Sequence, residues 1–424
     1  MEFNWTYKTI GEVCKTASGG TPSRSNAAFY ENGTIPWVKT GELTNKYLFE
    51  TEEHITQEAL QKSSAKMIPA NAVIMAMYGA TIGKTSIIKK DMSTNQACCA
   101  MITNEIELHN EFLYYILSFR KEDIISLGSG GAQPNISQQV IKNIEIPIPP
   151  ILEQRKIADI LSSVDNAISI TEAIIEQTEK VKKGVMNQLL TKGIGHKEFK
   201  QSEVGEIPTT WEVKELGELA DPRDRYSFVG GPFGSDLKSD EYTSEGVRII
   251  QLQNIKDGYF SNDYKIYTSE DKANELIKCN IYPGDIIIAK MAEPVARATI
   301  IPNICSRYVM ASDGIRLSVD KSLYNTEFVT FSINAQYFRQ QAIDNSTGTT
   351  RLRIGLTTLR KLKIASPPLK EQIKIKEVLT NIDSKLSKEN GNLTQLRTLK
   401  KGLMQVLLTG KIRVKVNDQE AVIT

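Results

Sequence analysis

The sequence predicts an α+β fold in which two globular domains form a pseudo-two-fold tandem repeat, joined by two long antiparallel helices in a coiled coil. Two observations predict it: a duplicated block of 43 residues with helical periodicity, and two longer divergent segments that mix short apolar runs with helical stretches. The chain has 424 residues, 40% of them apolar and 24% charged, which is ordinary globular composition. That length allows roughly two to four folding units.

The repeat has two anchors. Residues 149–191 align with 367–409 at a constant offset of 218, and 17 of the 43 aligned positions are identical. A second match opens each half, with WTYKTIGE at 5–12 and WEVKELGE at 211–218. The chain is therefore two copies of one unit, each a divergent segment followed by a fixed one.

The fixed segments are predicted to be long helices. Positions spaced alternately by four and three residues, starting from Ile157 and again from Ile375, are mostly apolar. The exceptions, among them one lysine in each copy, are residues that a helical seam tolerates, and the pattern extends over about five heptads. Each segment begins with two prolines, just before or at the first turn of the predicted helix, and Gly193 and Gly410 follow as helix stops. If the halves are equivalent, the second helix returns toward the first domain and the pair is antiparallel. A helical hairpin inside a single core is the alternative.

Within the divergent segments, apolar runs at 72–77 and 285–289 predict strands, and the stretches near 109–127 and 324–345 predict helices. The domain boundaries that follow are 1–148 for the first globular domain, 149–192 for the central helix, 193–210 for a linker, 211–366 for the second globular domain, 367–410 for the C-terminal helix, and 411–424 for a tail that returns toward the first domain.

The motifs that catalysis needs are missing from the sequence. Residues 79–85 resemble a phosphate-binding loop, but Tyr78 stands where that loop needs its first glycine. The three histidines form no metal-ligand pattern, and the five cysteines have no disulfide spacing, so we expect reduced thiols and no metal site.

Without a signal peptide or a long apolar run, a cytoplasmic location away from membranes is expected. The net charge of +2 does not by itself indicate a nucleic-acid binder.

Several strings, taken in their order, resemble the DNA-specificity subunits of type I restriction–modification systems. They are SGGTPS at 18–23, IPWVKTGEL at 35–43, YGATIGK at 78–84, GPFGS at 231–235, and the two PPxxEQ helix starts. The resemblance covers nearly the whole chain. It implies that each globular domain is a target-recognition domain that reads one half of a bipartite, asymmetric target in double-stranded DNA. The helices would set the spacing and dock methyltransferase subunits.

The same resemblance implies the partners and the division of chemistry. Two methyltransferase (modification) subunits would use S-adenosylmethionine, and two motor–nuclease (restriction) subunits would use ATP and magnesium. This chain would hold no cofactor and catalyse nothing. The alternative that the residues leave open is a helical adaptor that bridges protein partners without touching DNA, which the near-neutral charge favours slightly.

Candidate DNA-contacting residues lie in the divergent segments and carry the amide, guanidinium or ammonium groups that meet bases or phosphates. They are Arg24, Lys39, Lys84, Gln133 and Asn135 in the first domain, and Arg225, Lys238, Gln251, Gln253, Asn254, Lys290, Arg297, Arg351 and Arg353 in the second. The stretch 339–363 holds six basic residues and one acidic residue, and we expect it to face mainly phosphates.

Overall fold

The computed structural model describes residues 5–128, 135–291 and 293–415. Two compact units divide the chain: one runs through Ala173 and resumes at Gly391, and the other runs from Ile174 to Asn390. Each unit contains one globular domain and a part of each long helix. Within the described residues, none of the helices has the length and apolar character needed to span a membrane.

The first globular domain mixes short strands and helices, as predicted. Its elements are β1 (Thr6–Thr9), α1 (Ile10–Val13), β2 (Cys14–Ser18), β3 (Ile35–Val38), β4 (Tyr47–Leu48), β5 (His54–Ile55), α2 (Gln57–Lys62), β6 (Met67–Ile68), β7 (Val73–Ala76), β8 (Thr85–Ile88), β9 (Met92–Thr94), β10 (Cys98–Thr103), α3 (Asn110–Phe119), α4 (Lys121–Ser126), α5 (Gln138–Lys142) and β11 (Glu145–Ile148). They form a five-stranded sheet in the order β2-β10-β7-β8-β4, a four-stranded sheet β5-β3-β9-β6, and the pair β1-β11.

The first long helix, α6, spans Ile151–Lys192 and leads into the second half. The elements that follow are β12 (Phe199–Ser202), β13 (Gly205–Pro208), β14 (Glu212–Glu215), β15 (Phe228–Gly230), β16 (Tyr242–Thr243), β17 (Val247–Ile250), β18 (Ile266–Thr268), α7 (Glu270–Glu275), β19 (Asn280–Ile281), β20 (Ile286–Ala289), β21 (Ala298–Ile300), β22 (Tyr308–Met310), β23 (Gly314–Leu317), α8 (Thr326–Asn334), α9 (Gln336–Asp344), α10 (Leu356–Lys361), β24 (Lys363–Ser366) and the second long helix α11 (Leu369–Leu407).

The second globular domain repeats the architecture of the first. Its sheets are β15-β23-β20-β21, β16-β18-β17-β22-β19 and the pair β14-β24. The parallel pair β17/β22 matches the parallel pair β3/β9, and the central antiparallel pair β20/β23 matches β7/β10. The first domain also has a parallel pair at a sheet edge, β4/β8. The segment 193–210 holds the hairpin β12–β13, whose Val204 and Ile207 pack in the core of the second unit. The sequence did not predict this hairpin.

The PPxxEQ string has a structural explanation, because its glutamine joins each long helix to its globular domain. Gln154 is fully buried, and its amide donates to the carbonyls of Pro149 and Glu107, both at 2.8 Å. Gln372 repeats this arrangement with Pro367 at 2.8 Å and Leu323 at 3.3 Å. Each glutamine oxygen also accepts a backbone N–H at the start of a helix in its domain. A buried amide that satisfies several backbone groups fixes the helix against the sheet.

The glutamate of the same string is a second anchor. In the second unit, Glu371 accepts the indole N–H of buried Trp211 at 3.0 Å, and it also meets His196 Nε2 at 2.8 Å. In the first unit, Glu153 accepts the indole N–H of Trp5 at 3.3 Å and pairs with Arg413, with N–O distances of 2.8 and 2.7 Å. Arg413 in the tail therefore occupies the place in its unit that His196 occupies in the other.

We expect Glu371→Ala to lower the free energy of unfolding of the second unit by about 1–3 kcal/mol, because the buried indole N–H of Trp211 loses its acceptor. A denaturant titration followed by tryptophan fluorescence measures the change. Glu377→Ala, an exposed carboxylate on the same helix, is the matched control and should have little effect. Equal stability of the two variants would contradict the anchor.

Ion pairs show the direction of the helices within each unit. In the first, Asp165 of α6 meets Lys400 of α11 at 2.5 Å, and Glu172 meets Arg397 at 2.7 Å, so residue numbers rise in opposite directions. In the second, Lys182 of α6 meets Asp383 of α11 at 2.5 Å. The antiparallel prediction is confirmed. The two lysines that interrupt the apolar stepping are thus paired with aspartates, a device that favours one register over others.

Candidate nucleic-acid interface

The two globular domains share backbone hydrogen bonds that define equivalent positions. The N–H of Ala76 donates to the carbonyl of Lys84 at 2.9 Å, and the N–H of Ala289 donates to that of Arg297 at the same distance. Both bonds link the end of a central strand to the turn that follows it. Lys84 and Arg297 therefore stand at the same point of the fold.

Two further pairs of candidates are equivalent by the same reasoning. The backbone N–H of Lys39 donates to the Glu42 carboxylate, and that of Gln251 donates to the Asn254 side-chain oxygen. Isolated β-bridges join Tyr78 with Asn135 and Met291 with Arg353. Lys39 thus corresponds to Gln251, and Asn135 corresponds to Arg353. The domains present different side chains from the same backbone positions.

In the second domain, two candidate glutamines line a cavity of about 230 Å³ that we call the amide cavity. Its wall includes Phe233, Leu252 and Asp313 besides Gln251 and Gln253. The Gln253 amide donates to the Gln251 oxygen at 3.4 Å, and the Gln251 amide donates to the Tyr242 hydroxyl at 3.4 Å. These long bonds leave both amides available to a ligand.

A larger cavity of about 760 Å³, here called the arginine cavity, shares Leu252 with the first. Arg297 and Arg351 line it together with apolar side chains such as Ile343. The Arg351 side chain is exposed, and its guanidinium makes no hydrogen bond or ion pair with any residue that the structure describes. Its charge is therefore available to a ligand in this cavity.

Other candidates of the second domain have internal partners. Arg297 donates to the carbonyls of Glu293 and Leu252 at 3.0 and 2.9 Å, and Arg353 pairs with Asp313 at 2.9 Å. Asn254 is fully buried, and its amide donates to two backbone carbonyls. Asn254 shapes the loop that carries the glutamines and has no group left for DNA.

Three candidates of the second domain remain, and they lie at different places relative to the two cavities: Lys290, Lys238 and Arg225. Lys290 flanks the face, because its N–H donates to Asp313 and its carbonyl accepts from Ile354. Lys238 follows Leu237, which lines the amide cavity. Arg225 lies over the ring of Tyr226, on a different turn of the chain.

The basic stretch 339–363 does not form one continuous surface. Arg339 donates to the Val295 carbonyl and pairs with Asp257 at 2.8 Å, Arg360 donates to the Phe228 carbonyl, and Lys363 pairs with Glu215 at 3.2 Å. These three cations hold their own domain together, so the part of the stretch that can meet a ligand reduces to the residues around Arg351.

Two candidates of the first domain share an acidic partner. Glu53 meets Arg24 at 2.6 Å and Lys39 at 2.9 Å, and the hydrogen bond from Lys39 holds the pKa of Glu53 below its usual range. Arg24 also lies over the rings of Tyr30 and Trp37. The cluster is locally neutralised, although both cations are near the surface.

Lys84 makes no side-chain hydrogen bond or ion pair within the described part of the chain, and Asn135 is exposed beside Tyr78. Gln133 lies outside the described residues.

The sequence analysis did not include Phe233 of the second domain among the candidates, although it stands in the GPFGS string. The feature that could have indicated it is an aromatic residue in a glycine-flanked loop.

The described residues contain no group of three or more His, Cys, Asp or Glu side chains arranged to hold a metal ion. Burial raises the pKa of the Cys14, Cys98 and Cys99 thiols to about 12, which keeps them protonated and unreactive at neutral pH.

A duplicated domain that presents different polar side chains from equivalent positions defines a class of two-part binding proteins. The comparisons with known proteins give the family. The model of the type I restriction modification DNA specificity domain matches residues 2–180 and again 208–398. The chain belongs to this family, with one copy of the domain in each half.

Individual relatives agree with this assignment. The MjaVIII specificity subunit of Methanocaldococcus jannaschii is 27% identical over 421 residues, covering 97% of this chain and 94% of the relative. The putative MjaX specificity subunit of the same organism is 35% identical over 319 residues, covering 74% and 70%. The crystal structure of a type I S subunit from M. genitalium has the same fold, with a TM-score of 0.58, 17% identity and 98% of both chains covered.

Proposed function

We propose that this chain is the DNA sequence-specificity subunit of a type I restriction–modification complex, each globular domain reading one half of a bipartite, asymmetric target. The observation that carries the proposal is the pairing of equivalent positions with different side chains: Lys39 with Gln251, Lys84 with Arg297, and Asn135 with Arg353. Base identity is read by the hydrogen-bonding pattern of such side chains, so unlike residues on one scaffold give unlike half-sites.

Roles can be divided in the second domain. Gln251 and Gln253 offer paired donors and acceptors of the kind that read adenine in the major groove. Arg351 and Lys290 add positive charge beside them and suit phosphates, which position the protein on the duplex. Arg297 and Arg353 have partners within the domain, and we assign them the role of holding the loops in place. The first domain would use Lys84 and Asn135 at the corresponding positions.

The long helices provide the setting for partners. Each unit leaves apolar side chains of the helices exposed: Ile170 and Leu399 in the first, and Ile174, Val181, Ile373 and Val378 in the second. We assign these to the docking of two modification subunits, and the helices to the spacing between half-sites. S-adenosylmethionine, ATP and magnesium would belong to the modification and restriction subunits, and this chain would catalyse neither methylation nor cleavage.

Co-expression with a modification subunit tests the proposal. We expect the purified complex to methylate adenines in one bipartite, asymmetric sequence, mapped by sequencing of modified DNA. It should also bind a duplex that carries this sequence more tightly than a random duplex at the same salt concentration. The chain alone should transfer no methyl group. A complex that assembles but has no affinity for either duplex would identify the chain as a protein adaptor instead.

Arg351→Ala is expected to weaken binding of the complex to DNA. If Arg351 meets a phosphate, affinity falls for all sequences and the slope of log K against log salt decreases by about one. If it meets a guanine edge, the loss is about 1–3 kcal/mol and confined to one base position. We expect the phosphate result, because the side chain is exposed and unconstrained. Fluorescence anisotropy over a range of salt concentrations distinguishes the two.

Lys388→Ala removes the same charge from an exposed position on α11 and is the control. Unchanged affinity of Arg351→Ala would remove this arginine from the interface.

A further inference from the structure

A glycine anchors a surface loop at the same point of each domain. The N–H of Gly231 donates to the Gly314 carbonyl at 2.7 Å, and a Cβ on Gly231 would lie 1.9 Å from the carbonyl oxygen of Ala311. A Cβ on Gly19 would lie 2.1 Å from the carbonyl oxygen of Thr94. Only glycine allows the chain to approach the neighbouring backbone so closely, so the start of each loop is fixed.

The residue two positions after the anchor differs between the domains. It is Thr21 in the first and Phe233 in the second, and both are exposed. Phe233 leaves 79% of its surface open to solvent, and it lines the amide cavity together with Gln251 and Gln253. Its carbonyl accepts the N–H of Asp236 at 2.9 Å, which folds the loop so that the ring stands at its tip.

We propose that Phe233 is an apolar wedge that enters the base stack and unstacks one step of the half-site read by the second domain, with no counterpart in the first. The proposal rests on the proposed function and adds a distortion of the DNA to it. Apolar side chains between base steps are a known way for proteins to kink a duplex, and a threonine is too small and polar for that role.

The surroundings of the ring favour DNA over a protein partner. Aromatic side chains in protein–protein interfaces concentrate in a buried core that is more apolar than the rest of the surface and depleted of charged residues. Here the cavity that the ring lines combines apolar side chains such as Leu237 and Leu252 with two side-chain amides and the Asp313 carboxylate, which pairs with Arg353. Exposed Arg351 lines the arginine cavity on the other side of Leu252. Side-chain amides can hydrogen-bond to the edge of a base, and an aromatic ring beside them can stack on its face.

The test uses the complex with its modification subunits and duplexes of its mapped target, with 2-aminopurine at each adenine of the two half-sites and their flanks in turn. Unstacking raises 2-aminopurine fluorescence. The adenines that the complex methylates are left out of the comparison, because methyltransferases flip their target base out of the stack. At the remaining positions we expect a rise at one step in the half read by the second domain and none in the other half. Phe233→Ala should abolish the rise and weaken binding to the target about 10- to 100-fold. The salt slope should not change, because no charge is removed.

Two variants control for structure. Tyr259→Ala removes an aromatic side chain that is 62% exposed and does not line the amide cavity, and Thr21→Ala alters the equivalent loop; both should leave fluorescence and affinity unchanged. Phe233→Leu, which keeps an apolar wedge, should retain part of the signal.

The outcomes separate this proposal from the proposed function. If the wild-type complex binds and methylates its target with no fluorescence change outside the methylated adenines, and Phe233→Ala binds it equally well, the wedge is disproved while the function stands. Loss of modification-subunit binding in Phe233→Ala would also disprove it and make the ring a protein contact. A wild-type complex with no affinity for DNA would overturn the proposed function itself.

Discussion

Replacing residues 1–148 with the first globular domain of another specificity subunit will change one half of the recognised sequence and leave the other half intact. The physical reason lies in the contacts between the exchanged domain and the long helices. The exchanged segment ends at Ile148, the last residue of β11, and several of the contacts between the first domain and α6 are made by residues that the two helices repeat. Gln154, Ile157 and Leu161 have identical counterparts at Gln372, Ile375 and Leu379, so a related domain meets the same surface.

Sequencing of methylated DNA from cells that express the chimaeric complex measures this result. The reciprocal exchange of residues 211–366 is the matched control and should change only the other half. A chimaera in which both half-sites change, or in which the spacer alone changes, would show that the two domains do not read DNA independently.

The second large effect concerns stability. Arg316 of β23 is 5% exposed; its Nε donates to the buried Asp285 carboxylate at 2.6 Å, and its guanidinium also pairs with Asp224 at 2.7 Å. Arg316→Ala leaves the Asp285 charge buried without its cation. We expect it to lower the free energy of unfolding of the second unit by about 3–5 kcal/mol, measured by denaturant titration.

The first domain supplies the control for this pair. At the equivalent points of its sheet it has Ala100 and Ala72, both buried, so the fold accommodates small apolar residues there. The double variant Asp285→Ala/Arg316→Ala should therefore lose less stability than Arg316→Ala alone. Arg223→Ala breaks an exposed ion pair and should change stability much less than Arg316→Ala does, because solvent screens the pair. If Arg316→Ala and Arg223→Ala were equally stable, the buried pair would have no special importance.

The sequence predicted the helices well because their signal is periodic and repeated. The predicted segments 149–192 and 367–410 contain the observed Ile151–Lys192 and Leu369–Leu407, and Gly193 and Gly410 take positive φ values of 64° and 71° after them. A helix stop of this kind is local and can be read from residue type. Strands at 73–76 and 286–289 were predicted for the same reason, since each is a short buried apolar run.

The candidate site could be predicted only in part, because residue type does not reveal where a side chain points. Arg351 and Arg297 look alike in sequence, yet Arg351 is exposed and has no side-chain partner among the described residues, while Arg297 donates to two carbonyls of its own domain. Asn254 lies next to Gln253 but points into the fold. The equivalence of Lys84 with Arg297 depends on hydrogen bonds between residues far apart in the chain.

The discontinuous first unit has a consequence for how the protein is made. Its core includes Leu407 and Leu408, which are buried against the domain that contains Ile10 and Phe112. Residues 174–390, by contrast, form the second unit as one uninterrupted stretch. During synthesis from the N-terminus, the second domain can complete its core while the first still lacks part of its own. The domain that leaves the ribosome first is therefore the last to be finished, and until then it exposes the apolar surface that α11 will cover.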